Sequence, residues 1–94
     1  MALPLSSGCS VAPRVVWRDV EGELVLFDEA SGRYHALNLI GSIIWRRLAA
    51  GAAPELIVRE LTARYDAPAD VIAGEVAAFI AGAVDLRLLS TDQP

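Results

Sequence analysis

The chain has 94 residues, 54% of them hydrophobic, with 12 acidic side chains against 8 arginines and no lysine, for a net charge of −4. That length and apolar content suit one domain with its own core and exclude a largely disordered chain. The negative balance argues against a sequence-independent nucleic-acid coat, which needs cationic side chains on the phosphates. One cysteine, Cys9, and one histidine, His35, exclude a disulfide framework and a Cys/His metal centre, so a cytoplasmic protein without metal or cofactor is expected. No apolar run approaches the roughly 18 residues a membrane helix requires.

Residues 1–13 mix small side chains with two prolines and no periodicity, and read as a flexible arm. Their start lacks the basic opening and the apolar stretch of an export signal. Arg-Val-Val-Trp-Arg at 14–18 is a β-branched and aromatic run, a first strand. Asp-Val-Glu-Gly at 19–22 supplies a turn, and Glu-Leu-Val-Leu-Phe-Asp at 23–28 a second strand. A four-residue loop, Glu-Ala-Ser-Gly at 29–32, closes a hairpin onto a third strand at 33–37, setting Asp28 opposite Arg33 and Phe27 opposite Tyr34.

Asn38 fits a helix N-cap. Behind it Ile40, Ile43, Ile44, Trp45 and Leu48 recur at helical spacing until Gly51. Pro54 opens a second helix with an inward stripe of Ile57, Val58, Leu61 and Tyr65. After the break at 66–68, a third helix runs from about Pro68 to Asp85 with Val71, Ile72, Val76, Phe79, Ile80 and Ala83 inward. Leu86 to Leu89 then anchor the end on the core, and residues 90–94 fray. The order β-β-β-α-α-α predicts an α+β domain of winged helix-turn-helix-like topology over 14–89.

Three chemistries compete for this framework. Catalysis would need a nucleophile within reach of a base, but His35 and the nearest core hydroxyl, Ser42, lie on opposite sides of a strand-to-helix bend. The carboxylates of Asp19, Glu21, Glu23, Asp28 and Glu29 gather at turns, where solvated charges sit. DNA binding would need a basic recognition helix, whereas the third helix carries Asp70, Glu75 and Asp85; the densest basic spot is Arg46-Arg47. Peptide binding needs an open sheet edge. The third strand has no proline or lysine to blunt one, so its unpaired amides and carbonyls could accept an added strand. Ala73, Ala77, Ile80 and Ala81 on the third helix could wall the other side of such a groove. Covering by the N-terminal arm, or pairing with a second copy in a homodimer, are the alternative fates of that edge.

Gly-Arg-Tyr-His-Ala-Leu-Asn at 32–38, then Gly41, Ile44-Trp45 and Leu48, then Tyr65-Asp66 and Leu88-Leu89, together resemble the PqqD family of small peptide-chaperone proteins. The resemblance spans residues 15–89. It implies a non-catalytic RiPP recognition element, a domain that binds the leader of a ribosomally made precursor peptide and delivers it to modifying enzymes. In that family the leader adds antiparallel to the third strand and lies against the third helix. Here that implies Arg33, Tyr34, His35, Ala36 and Leu37 on one side and Val71, Ala73, Val76, Ala77 and Ile80 on the other. The Gly-x-x-Ile-Trp helix is closer to the lasso-peptide branch, with a leader peptidase and a cyclase as partners, than to the pyrroloquinoline-quinone branch.

Overall fold

The computed structural model describes residues 9–91. Its elements, in chain order, are β1 (Cys9–Val11), β2 (Val15–Val20), β3 (Glu23–Asp28), β4 (Arg33–Ala36), α1 (Leu39–Ala49), α2 (Pro54–Tyr65), α3 (Ala69–Asp85) and β5 (Leu89–Thr91). β2, β3 and β4 form an antiparallel meander in that order, so the third strand of the sequence reading, β4, is an edge. β1 and β5 form a separate two-stranded ribbon.

Local chemistry accounts for the meander. Glu21 and Gly22 both take positive φ, 56° and 92°, which is the two-residue loop whose twist matches flanking strands. The Asp19 carboxylate accepts the Gly22 amide at 2.8 Å across that loop. The second hairpin has the expected register, with Phe27 opposite Tyr34 and Asp28 opposite Arg33. Its aromatic pair forms, with ring centroids 4.7 Å apart.

The charge pair does not. Asp28 is buried on the inner face and takes Arg14 as its partner, with Nε at 3.1 Å. Arg14 precedes Val15, which lies opposite Asp28, so its side chain reaches the carboxylate across the sheet end. Asp28 also accepts the Ala30 amide and the Ser31 hydroxyl, which moulds the hairpin loop. It is therefore a structural carboxylate and not the solvated turn charge expected from sequence.

The inner face carries Val15, Leu24 and Leu26, packed against Ile44, Trp45 and Leu48 of α1, Ile57 and Leu61 of α2, and Ile72, Val76 and Ile80 of α3. Asn38 caps α1, its side chain accepting the Gly41 amide at 2.8 Å. Two residues leave the stripes assigned to them. Tyr65 ends α2 with its ring beneath the Arg64 guanidinium and is exposed, because Asp66 turns left-handed immediately after it. Val71 is exposed because the buried line of α3 runs through Ile72.

The ribbon corrects both chain ends. Cys9–Val11, expected within a flexible arm, pairs antiparallel with Leu89–Thr91, part of which was expected to fray. Burial of Leu88 and Leu89 in the core, with the Ala12 amide donating to the Leu88 carbonyl at 3.0 Å, holds the two segments side by side. The remainder of the arm, 1–8, and of the tail, 92–94, lies outside the described residues.

Candidate functional site

The free edge of β4 can be specified atom by atom. The Leu37 amide donates to the Leu24 carbonyl at 2.9 Å, which marks that pair as hydrogen-bonded. Antiparallel ladders alternate, so Leu26/His35 is the next bonded pair, while the amides and carbonyls of Tyr34 and Ala36 point away from β3. Those two donors and two acceptors face open space beside the third helix.

Between this edge and α3 lies a groove of about 330 Å³. His35, Ala36 and Leu37 form one wall; Ala78, Phe79, Gly82 and Ala83 form the other. Leu26 and Trp45 are the floor, and Leu86 and Leu88 close one end. His35 is half-buried, as expected for a strand residue with one face inward. The glycines have distinct roles. A methyl group on Gly41 would sit 3.3 Å from the Phe79 ring, so Gly41 lets that wall residue approach α1, whereas above Gly82 there is nothing within 4 Å. The lining is almost wholly apolar, and the buried Trp45 indole N–H has no hydrogen-bond partner among the described residues. Such a groove with a bare strand edge along one side suits an extended peptide: main-chain bonds hold it, and alternate side chains enter the groove.

Residues 23–89 match the family model described as Coenzyme PQQ synthesis protein D (PqqD). The chain belongs to the PqqD family. Two solved structures share its fold. "TbiB1 in Complex with the TbiA(beta) Leader Peptide" has a TM-score of 0.83 at 28% identity, covering 86% of this chain and 94% of that one. "Lasso peptide synthetase B1 complexed with the leader peptide" has a TM-score of 0.82 at 23% identity, covering 87% and 96%. No curated protein matches the chain at significant similarity.

In this PqqD-family chain the expected strand residues lie along the β4 edge and groove, and the expected helix residues lie outside the groove lining. Arg33 and Tyr34 are exposed on the edge, and His35, Ala36 and Leu37 line the groove. Val76 and Ile80 do not belong to it: they are 0% and 2% exposed and fill the core beneath α3. Val71, Ala73, Ala77 and Ala81 also lie outside the groove lining. The helix residues that do line it, Ala78, Phe79, Gly82 and Ala83 with Leu86 beyond, were not singled out together. Their spacing of i, i+1, i+4, i+5 and i+8 is itself a helical stripe, turned away from the Ile72, Val76 and Ile80 line. Small residues on that stripe were the available signal.

The competing chemistries lose their residues to structural duties. Ser42 is fully buried, its Oγ accepting the Leu24 amide at 2.8 Å and donating to the Leu37 carbonyl at 3.4 Å, so it staples β3 to the β4–α1 junction. Arg46 pairs with Asp19, and Arg47 makes a two-pronged bond to Glu60 at 2.9 and 3.0 Å, which neutralises the basic spot a DNA phosphate would need. Among the described residues no group of three or more His, Cys, Asp or Glu could hold a metal ion, and no helix is long and apolar enough to cross a membrane. Burial pushes the Asp28 carboxyl upward, but the Ala30 amide, the Ser31 hydroxyl and Arg14 outweigh it and hold it below the usual carboxylate value.

Proposed function

We propose that this protein binds the leader of a ribosomally made precursor peptide as an antiparallel fourth strand on β4 and presents it to modifying enzymes. Binding is the whole of its chemistry; the reactions belong to its partners. The observation that carries this reading is the unpaired edge at Tyr34 and Ala36 beside an apolar groove. Two proteins of the same fold, both in complex with leader peptides, support it. The leader's main chain bonds to Tyr34 and Ala36, and its alternate side chains enter the groove over Gly82. The Gly41 and Ile44-Trp45 helix pattern favours a lasso-type pathway in the cytoplasm, with a leader peptidase and a cyclase as the enzymes served, over pyrroloquinoline-quinone assembly.

Fluorescence-polarisation titration with the leader of the precursor encoded beside the protein tests this directly. Saturable binding is expected, weakened at least about tenfold by scrambling the leader, a difference of about 1.4 kcal/mol. Equal affinity for leader and scrambled peptide refutes the reading. A precursor gene flanked by a peptidase and an ATP-dependent cyclase would assign the lasso branch.

A further inference from the structure

The two ends of the groove carry opposite charge. In the hairpin register Arg33 faces Asp28, on the inner side that His35 shares, but Asp28 is taken by Arg14. Arg33 is therefore exposed with no ion pair among the described residues. Arg14 also donates from Nη2 to the Arg87 carbonyl at 3.0 Å, which ties the end of α3 to this corner of the sheet. Arg87 stands between Leu86 and Leu88, the two leucines that close the groove, and it too is exposed without an ion pair among the described residues. Glu29 and Asp85, the nearest carboxylates in sequence, pair with neither.

The other end is acidic. Leu37 and Phe79 both border Gly41, so α3 crosses the groove antiparallel to β4. Glu75 lies one turn before Phe79 on the same helix face and is exposed, with no ion pair among the described residues. A strand added to β4 therefore meets a positive end at Arg33 and a negative end beyond Leu37.

We propose that this polarity fixes the direction and register of the bound leader, through a leader carboxylate that pairs with Arg33. The proposal rests on the reading of β4 as the leader edge. Leader residues opposite Tyr34 and Ala36 make the main-chain bonds, and the one between them, opposite His35, enters the groove. In an antiparallel leader the residue opposite Arg33 comes two positions later and shares that face. An Asp or Glu there meets a guanidinium that its own sheet leaves unpaired. Main-chain bonds alone tolerate a slip of two residues, which keeps every side chain on its face. That slip moves the carboxylate off Arg33, and a reversed strand carries it toward Glu75. The substrate class is thus an extended peptide with an acidic residue on the C-terminal side of its groove residue.

Fluorescence polarisation with the labelled leader of the co-encoded precursor tests this, alongside copies in which each Asp or Glu is replaced singly by Lys. An exposed charge pair is worth up to about fivefold in affinity, and a reversal adds repulsion, so Arg33→Glu is expected to weaken the native leader about fivefold or more. Arg87→Glu is expected to weaken it about threefold. Arg59→Glu, an equal charge change on α2 away from the groove lining, stays within about twofold of wild type. The decisive result is rescue: one Lys-substituted leader binds Arg33→Glu at least about threefold more tightly than the native leader does, which a merely structural role for Arg33 does not produce. Should the reversal unfold the hairpin on circular dichroism, Arg33→Gln is the second variant, expected to bind that leader and the native one within about twofold of each other. Native-leader affinity kept by Arg33→Glu, the absence of a rescuing leader, full discrimination by Arg33→Gln, or a leader without any acidic residue overturns the proposal. If the native leader fails to bind wild type, the β4 reading itself falls and takes this proposal with it, so the two failures are distinct.

Discussion

Ser42→Ala removes one oxygen from the centre of the molecule, and the structure sets what that costs. Ser42 is 0% exposed and the Leu24 amide that it accepts belongs to a residue 1% exposed. In the β3–β4 ladder the Leu24 amide would bond to the Leu37 carbonyl, but here Ser42 bridges the two, accepting from one and donating to the other. Alanine leaves that buried amide without its hydrogen-bond partner. An orphaned buried donor costs about 1–3 kcal/mol. A domain of this size loses about 4–8 °C of Tm per kcal/mol, so a fall of about 4–24 °C is expected. Thermal unfolding followed by circular dichroism measures it, with urea titration at constant m-value confirming that stability alone has changed. A Tm within about 2 °C of wild type would show that the β3–β4 ladder re-forms the Leu24 to Leu37 bond unaided, and the staple argument would fail.

The remaining predictions separate binding from folding. Gly82→Leu fills the groove from a position with no neighbour within 4 Å, so leader affinity falls at least about tenfold while stability is kept or gains up to about 1 kcal/mol of helix propensity; intact binding would show that the leader runs elsewhere. Tyr34→Pro removes an edge amide that β3 does not use, so the fold survives on circular dichroism and leader binding is lost. His35→Pro removes a ladder bond and unfolds the hairpin; if the two prolines behave alike, the assigned alternation is wrong. Asp28 is held below the usual carboxylate value, so its contribution is full above the unfolded value of about 3.9 and is lost as pH falls through the lower folded value. Asp28→Asn is therefore less stable than wild type at pH 7 in urea titrations, and the gap narrows as the pH falls below about 3.9. A gap independent of pH would assign the loss to packing.

The edge strand of the candidate site was legible in the sequence because strands and turns are local devices. Four loop residues between Phe27-Asp28 and Arg33-Tyr34 leave few registers, and the aromatic pair selects one. Edge status followed from element order, since a meander ends on an edge. Which stripe of α3 borders the groove was not legible. Ile72, Val76 and Ile80 lie on one line of α3 and Ala78, Phe79 and Gly82 on another, and both lines are apolar or small. An all-round apolar helix does not announce which stripe meets the core and which borders a groove. That choice depends on how far α3 rotates to bring Phe79 against Gly41, a contact between residues 38 positions apart.

The same division runs through the whole molecule. By itself the sequence determined the order of the three-stranded meander and the three helices, the two hairpins and the Asn38 cap, because each depends on residues a few positions apart. Tertiary structure decided that Asp28 pairs with Arg14, that Cys9–Val11 and Leu89–Thr91 form a ribbon, that Ser42 is a staple, and which stripe of α3 faces β4. These are pairings at long sequence separation among groups with several chemically acceptable partners, and only packing the helices and the sheet around one core selects among them.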